Sequence, residues 1–332
     1  MKIIILILLV ILSATIISYK YKTVDTVNKT KIEIIEPQEH TFSSPANFVG
    51  RDKCVGCHAK EISLWQGSHH DLAMQEAEAD LILGNFDNAT FSYNGIVTTF
   101  HKKDDKFFIN TDGPDGKLTD YEVKYVFGIE PLQQYLLELP RGHLQSFPIA
   151  WDTRTKEHEG QRWFHLYADE QIDFNDELHW TGINQNWNYM CADCHSTNLR
   201  KNFNLENNTY QTSWSEIDVS CEACHGPASK HIELAKSLNN SEFRNLPDKG
   251  LAIRFPIAGN DKWSFPKNSS IAKLQSLRSS IKLIDTCARC HSRRSSLNSS
   301  KPYLGSLHDN YLVSSLDQGL YHADGQMNDE TY

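Results

Sequence analysis

The sequence predicts an α+β protein in which short helices and loops surround a β-rich insertion, behind an apolar N-terminal helix. Three observations support this fold class. One pentapeptide pattern, C-x-x-C-H, occurs four times and takes up all 8 cysteines of the 332-residue chain. Between its first two copies, from about residue 86 to 168, runs of alternating apolar and polar residues are separated by turn residues, which is typical of strands. The first 19 residues are predominantly apolar.

The repeated pattern explains the cysteine usage. Two Cys three positions apart lie on one face of a helical turn, so both sulfurs can reach the vinyl groups of one porphyrin. The His that follows is then placed to bind the iron, and this is the attachment motif of c-type haem. The sequence therefore predicts four covalently bound haems c. The predicted attachment thiols are Cys54, Cys57, Cys191, Cys194, Cys221, Cys224, Cys287 and Cys290, and the predicted proximal ligands are His58, His195, His225 and His291.

Zinc and disulfides are the alternative uses of these cysteines. The pairs Cys191/Cys194 and Cys221/Cys224 are spaced for a four-thiolate zinc ribbon. That interpretation leaves the other two pairs without partners, and neither alternative explains a His after every second Cys. Haem is therefore the preferred interpretation.

The N-terminal run, residues 1–19, is longer than a usual signal-peptide core and slightly short for a membrane span. Because no clear cleavage site follows it, we expect an uncleaved signal anchor, with a cleaved signal peptide as the alternative. Residues 20–48 are polar, include Pro37 and Pro45, and are expected to form a tether. Haem c is attached outside the bacterial cytoplasm. The sequence therefore predicts an inner-membrane protein whose bulk faces the periplasm, or a soluble periplasmic protein after cleavage.

Residues 49–332 are predicted to form one multihaem cytochrome c domain with the β-rich insertion 86–168. This leaves roughly 70 residues for each motif, too few for a separate side-chain core around each haem, so the haems must form much of the core. Cys191 and Cys221 are 30 positions apart, which predicts that the second and third haems are neighbours. The net charge of -9 argues against a nucleic-acid partner.

The local pattern also predicts individual elements. Good helix formers from Arg51 to about Leu83 predict helical structure. Asn94-Gly95 between two alternating runs predicts a β-hairpin, and residues 112–116 and 140–142 predict further turns.

The second axial ligand of each iron decides what the haem can do. The chain has 15 His and 4 Met, which favours His/His ligation. Four distal candidates stand out. His70 follows motif one, in the segment predicted to be helical, and His231 follows motif three after a Gly-Pro turn. His179 and His322 lie beside aromatic residues, and for each of the four a surface or packing role is the alternative.

Two segments resemble a known group of cytochromes. The pattern W-x-x-S-x-H formed by Trp65, Ser68 and His70 resembles that of the nitrifier tetrahaem cytochrome c and of the haem core of hydroxylamine oxidoreductase. Residues Cys221 to His231 resemble their C-x-x-C-H-G-P-G-x-x-H segment, with Ala228 replacing a Gly. The resemblance implies haem binding at the four motifs and distal ligation by His70 and His231.

Other segments more closely resemble bacterial multihaem cytochromes that are often fused to tetratricopeptide repeats: His179–Gly182, Gln185–Asn188, Cys194–Leu199 and Cys287–Arg294. Those relatives continue into a further C-x-x-C-H and helical repeats. We therefore expect a shortened member of the group, in which His322 or one iron could lack its partner. The resemblance implies no established substrate.

The leading functional hypothesis is a membrane-tethered periplasmic tetrahaem cytochrome that transfers electrons between other redox proteins. No catalytic side chain is predicted. One alternative is an oxidoreductase that acts on a small nitrogen or sulfur compound at a five-coordinate haem. Another is a structural haem subunit of a larger redox complex.

Overall fold

A computed structural model describes residues 45–255, 263–265, 267, 273–274, 282–297, 305–317, 319–323 and 327. Residues Ala46–Tyr332 group into one compact unit. The predicted anchor, residues 1–19, and the tether as far as residue 44 lie outside the described residues. Within the described ranges, no helix has the length and apolar character that a bilayer crossing requires.

An antiparallel sheet lies between the first and second motifs. Its strands are β1 Gln75–Glu76, β2 Ala89–Tyr93, β3 Ile96–Lys103, β4 Lys106–Asp112, β5 Leu118–Phe127, β6 Leu132–Leu139, β7 His143–Ser146, β8 Ile149–Asp152 and β9 Arg162–His165. Strands β2 to β6 are followed across the sheet by β8 and β9, while β1 pairs with β5 and β7 pairs with β6. Strands β2 to β9 all lie within residues 86–168, which confirms the predicted β-rich insertion.

The predicted turns join these strands. Asn94 and Gly95 connect β2 to β3 with φ of 45° and 81°. Positive φ at both central positions is the turn geometry that matches the twist of paired strands, and it explains the Asn-Gly pair. Residues 112–116 lead from β4 into β5, and residues 140–142 lead from β6 into β7, as expected.

The sheet curls until its first and last strands are in side-chain contact. Phe100 of β3 stacks on Trp163 of β9 with ring centroids 3.6 Å apart, and Tyr93 of β2 stacks on His165 of β9 at 3.7 Å. Phe86 fills the space beneath and contacts four aromatic rings edge-on. Such aromatic pairs each add about 0.5 to 1.5 kcal/mol beyond the burial of their area, so this domain has a conventional core of its own.

The helix predicted from Arg51 to Leu83 is wrong over most of its length. Helix α1 is Asp52–Val55 and α2 is Ala59–Trp65, and the chain then turns at Gly67, whose φ is 75°. His70 therefore lies in a turn rather than on a helix. Further on, Gln75–Glu76 forms β1, because pairing with β5 and burial of Met74 outweigh local helix propensity.

The remainder of the described chain carries the other three motifs on short helices. They are α3 Trp187–Met190, α4 Ala192–His195, α5 Cys221–His225, α6 Ser229–Ser237, α7 Asn240–Asn245, α8 Lys282–His291 and α9 Leu307–Asn310. Two-residue and three-residue strands make small hairpins between them: β10 Phe203–Asn204 with β11 Thr209–Tyr210, β12 Trp263–Ser264 with β13 Lys273–Leu274, and β14 Arg294–Ser296 with β15 Tyr311–Val313. This agrees with the predicted mixture of short helices and loops.

A second buried cluster joins the sheet to motif two. Met74, Phe127 and Leu136 from the sheet side pack with Trp187 and Ala192 from α3 and α4. Trp187 is fully buried, four positions before Cys191. The position of the second motif is therefore set by the sheet.

Candidate haem sites

Each C-x-x-C-H motif lies at a short helix. Motif three coincides with α5, and motif four forms the last turn and a half of α8. Motif two runs into α4 from Cys191, and motif one begins in α1 and ends at His58, the residue before α2. The helical turn places both sulfurs of a motif on one face, as the sequence predicts.

Two candidate distal ligands face histidines of the motifs. The ring centroids of His231 and His58 are 6.1 Å apart, and those of His70 and His291 are 6.2 Å apart. A metal about 2 Å from a nitrogen of each of two imidazoles places the ring centroids about 6 Å apart. Both pairs therefore have the spacing of two imidazoles on a single iron, and each joins residues from distant parts of the sequence.

Three of the histidines are oriented by backbone carbonyl groups. Nδ1 of His195 donates to Ala73 O at 2.8 Å, and Nδ1 of His231 donates to Lys249 O at 2.9 Å. Nδ1 of His225 makes the same kind of bond to a backbone carbonyl, at 3.1 Å. A carbonyl can only accept, so the proton is on Nδ1 and Nε2 keeps its lone pair. This is how histidines that bind metals are usually held.

The protonation of these rings also favours ligation. Burial lowers the pKa of His195 and of His225, and the nearby His231 and His58 add to the effect on His225. Burial also lowers the pKa of His70, together with the neighbouring His291. A neutral imidazole is the form that binds iron, so these rings are ready to do so at neutral pH.

His195 and His225 have different neighbours. The ring of His195 lies against Phe127 at 5.6 Å between centroids, and that of His225 lies against Phe255 at 5.0 Å. The ring pairs found among the described residues do not include a second imidazole for either of them. The described structure thus presents two motif histidines with an imidazole partner and two without one.

The other two distal candidates lie elsewhere. Nε2 of His179 is 3.3 Å from Oδ2 of Asp112, and its Nδ1 is 2.8 Å from Oγ1 of Thr181, so its ring lies in the sheet domain. His322 is exposed beside Tyr321, whose hydroxyl accepts a hydrogen bond from Arg293 N. This places His322 in the segment that contacts the chain just after motif four. Ligation by His179 and by His322 stays a prediction.

The thiols show which motifs are neighbours. The thiol of Cys54 in motif one interacts electrostatically with that of Cys221 in motif three, and the thiol of Cys194 in motif two interacts in the same way with that of Cys290 in motif four. These sulfurs stand for thioethers when haem is attached. The sequence spacing predicts adjacency of motifs two and three, and Thr197 Oγ1 does accept from Ser220 N at 2.9 Å. The thiol contacts nevertheless pair motif one with three and motif two with four.

Arginines join the two pairs of motifs. Arg289 in motif four donates to Ala223 O in motif three at 3.0 Å. Arg294 is buried, pairs with Asp193 of motif two at 2.6 Å and lies over the ring of Tyr311. Contacts therefore join motif one to three, three to four and four to two, and each of these contacts includes an ion pair or a hydrogen bond.

A buried carboxylate fastens motif one to motif three. Glu222, between the two cysteines of motif three, is 2% exposed. Its oxygens accept from the backbone N–H groups of Gly50 at 2.8 Å, Val49 at 3.0 Å and Ala228 at 2.8 Å. Charge-assisted bonds of this kind are worth about 1.5 to 3 kcal/mol each, so this one side chain supports a large part of the contact.

Buried amides hold motif two against the sheet. Asn188 Oδ1 accepts from Leu144 N at 2.7 Å, and its Nδ2 donates to Thr212 Oγ1 at 2.9 Å. Asn186 Nδ2 donates to Gln145 Oε1 at 2.9 Å, and Asn186 also caps α3 by accepting from Tyr189 N. The Gln-Asn-Trp-Asn segment, singled out by resemblance, is thus the structural support of the second motif.

Sequence reasoning did not identify Glu222, Asp218 or Arg51 as parts of the site. Glu222 occupies a variable position inside C-x-x-C-H, and Asp218 and Arg51 each lie three positions before a motif. The sequence shows only that each of these charged residues lies in or close to a motif. It does not indicate that Arg51 and Asp218 form an ion pair at 2.6 Å.

The residues present fit covalent haem. Paired thiols on one helical face, neutral histidines with free Nε2 atoms and two imidazole pairs with metal spacing are the donor set that haem c requires. In addition, the buried indole N–H of Trp187 near motif two has no acceptor in the part of the chain that is described, and a porphyrin carboxylate could supply one.

Comparison with known proteins finds similarity to cytochromes. Residues 151–226 match the family described as cytochrome c554 and c-prime, a stretch that contains motifs two and three. No curated protein matches the sequence. Two solved structures are similar at 16% identity: the outer cell wall cytochrome OcwA, with a TM-score of 0.49 over 84% of this chain, and an undecahaem cytochrome from the S-layer of Carboxydothermus ferrireducens, with a TM-score of 0.34 over 82%.

The chain spans 48% of the length of the first of these proteins and 39% of the second. The family match confirms the resemblance to multihaem cytochromes that the motifs indicate. Over residues 151–226 the chain is therefore similar to the cytochrome c554 and c-prime family, in agreement with the multihaem resemblance of its motifs.

Proposed function

We propose that this chain is a tetrahaem electron carrier that is tethered to the bacterial inner membrane and faces the periplasm. The tetrahaem assignment is supported by the clustering of the four motifs, which side-chain contacts hold next to one another. The membrane tether rests on the apolar run of residues 1–19, and the periplasmic side rests on the chemistry of haem c attachment. Other redox proteins would be the donor and the acceptor.

The cofactor supplies reversible one-electron chemistry when bound. The protein residues hold the sites close together and closed. His231 beside His58, and His70 beside His291, would each supply two imidazole nitrogens to one iron, which would then have no open position for a substrate. Glu222 and Arg289 keep neighbouring motifs in contact without a covalent link between them.

The mass of the intact protein and its ferric EPR spectrum test this proposal. The mass should exceed that of the polypeptide by four haems, and at least two irons should be low-spin with two imidazole ligands. A mass increase of two haems or fewer would contradict the tetrahaem assignment. Membrane fractionation with N-terminal sequencing tests the tether, because a mature N-terminus between residues 20 and 47 in the soluble periplasm would exclude it.

A second candidate function follows from His195 and His225. Among the described residues neither ring has a ring-to-ring contact with another imidazole, so an iron at one of these motifs could be five-coordinate and react with a small nitrogen or sulfur compound. Carbon monoxide distinguishes the two functions. A ferrous spectrum that carbon monoxide leaves unchanged supports the carrier, whereas a shift at one haem together with turnover of nitrite, hydroxylamine or tetrathionate supports the enzyme.

A further inference from the structure

We propose that Asp218 is a redox-linked proton acceptor, so that reduction at motifs one and three draws a proton from solvent onto its carboxylate. This inference rests on the proposed electron-transfer function. Proton coupling goes beyond simple electron transfer, because electron uptake by the haems would then be accompanied by proton uptake at Asp218.

Asp218 is a fully buried carboxylate with only one of its two oxygens paired. The residue is 0% exposed, and its Oδ2 lies 2.6 Å from Nη1 of Arg51. Its second oxygen, Oδ1, is buried and has no hydrogen-bond partner among the described residues. A carboxylate normally accepts bonds on both oxygens when buried, so Oδ1 is the atom at which a proton would relieve an unbalanced charge.

The charges around Asp218 favour protonation. Arg51 faces three carboxylates: Asp218 at 2.6 Å, Glu216 at 3.4 Å and Asp71 at 3.6 Å. Asp71 comes from the turn after α2, and Glu216 belongs to the same segment as Asp218. Three negative groups thus share one positive group, and the most buried of the three has the least access to water.

The acidity of Asp218 agrees with this geometry. Burial raises its pKa to about 6, against the opposing effect of Arg51, and the negative charges of Glu216 and Asp71 add to the rise. The carboxyl group is therefore close to half protonated under mildly acidic conditions, where a small change in the local field moves its proton occupancy.

The position of the group links it to the cofactors. Arg51 lies three residues before Cys54, and Asp218 lies three residues before Cys221, so the ion pair spans the contact between motifs one and three. An electron from a donor redox protein adds one negative charge at this contact. That negative charge raises the proton affinity of Asp218. Its Oδ1 then binds at most one proton from water, and oxidation releases both the electron and the proton. Arg51, with a side chain 33% exposed, provides contact with solvent.

Redox titration of the haem-loaded protein between pH 5 and 8 tests the proposal. The potential of one pair of haems should fall with rising pH above about pH 6, and a tenfold difference in proton affinity between the two redox states corresponds to about 59 mV. Asp218→Asn should abolish this dependence and hold the potential near the acid limit of the unchanged protein. The reduced-minus-oxidised infrared spectrum should contain a carboxylic acid band that the variant lacks.

A second variant covers the case in which Asp218→Asn does not fold or load haem. Glu216 accepts a hydrogen bond from Arg51 N at 2.8 Å, and Glu216→Gln keeps an acceptor there while removing one negative charge beside Asp218. The pKa of Asp218 should then fall, so the pH range over which the potential changes should move to lower pH. Asp152→Asn is the matched control: Asp152 is 2% exposed and also pairs with an arginine at 2.6 Å, but it lies in the sheet domain. It should leave the pH dependence of the potentials unchanged.

The outcomes separate the two proposals. Potentials that titrate reversibly but do not move between pH 5 and 8, or that still move in Asp218→Asn, would overturn the proton-coupling inference and leave the electron carrier intact. A window that Glu216→Gln does not shift would also count against it. Haem that shows no reversible reduction at all would overturn both.

Discussion

Glu222→Gln should loosen the contact between motifs one and three by about 2 to 4 kcal/mol. The carboxylate accepts three backbone N–H bonds, at 2.8 Å from Gly50 and Ala228 and at 3.0 Å from Val49. Glutamine has nearly the same shape, but its NH₂ group must face at least one of these donors, whichever way the amide is turned. One charge-assisted bond, worth about 1.5 to 3 kcal/mol, is then lost. The other two bonds become weaker neutral bonds, and the lower cost of burying a neutral amide offsets part of that weakening.

Native-state hydrogen exchange measures this effect directly. A change of 2 to 4 kcal/mol corresponds to roughly 30-fold to 1,000-fold more frequent local opening, so the amide protons of Val49 and Gly50 should exchange faster by that factor. Glu233→Gln is the control, since Glu233 forms an exposed pair with Lys230 at 2.8 Å, and such pairs are worth less than about 1 kcal/mol. Unchanged protection of both amides in Glu222→Gln would refute the reasoning, because it would mean that the carboxylate does not hold this segment.

Three further predictions concern the histidines and the amide network. His70→Ala and His231→Ala should each convert one of the four irons from low-spin to high-spin in the ferric EPR spectrum, because each removes one of the two imidazoles at one motif. Asn188→Ala should lower the free energy of unfolding by about 3 kcal/mol in urea, since the buried N–H of Leu144 loses its acceptor. Burial lowers the pKa of His165 to about 4, so the unfolded chain binds more protons between pH 4 and 6.5 and stability should fall as the pH is lowered through that range. His165→Asn should flatten this dependence in urea unfolding curves.

Each of these has a control and an outcome that contradicts it. His69→Ala should leave the spin state unchanged, and equal spectra for the His69 and His70 variants would remove the assignment. Asn184→Ala should cost little, because this partly exposed amide has only a weak bond to Glu177 O at 3.4 Å, and a similar loss at Asn184 would show that the network is not responsible. If the His165 variant keeps the full acid sensitivity, another group is the cause.

Local features of this protein were accessible from short stretches of sequence. Covalent attachment needs only the spacing of five residues, and the Asn94-Gly95 hairpin needs only two residues that tolerate positive φ. The helix predicted at residues 73–79 was wrong because it rested on local sequence alone. Ala73 to Ala79 contain good helix formers, but the segment pairs with β5, and a strand partner some 50 positions away is not visible in the local pattern.

The ligand pairs show where sequence reasoning stops. His70 and His231 could be named as ligands from their place after a motif and from resemblance, but not matched to a partner. The structure places His70 against His291 and His231 against His58, across more than 150 positions in each case. Proximity in the chain would have suggested neighbouring motifs instead.

By itself, then, the sequence determined the chemistry of attachment and the alternation that forms the sheet, because both depend on residues a few positions apart. Only the tertiary structure decided the spatial order of the motifs and which imidazoles face each other. These depend on buried contacts such as Glu222 with Gly50 and Arg294 with Asp193, whose energies come from burial and from exact distance. Neither quantity can be obtained from a residue type or from its spacing along the chain.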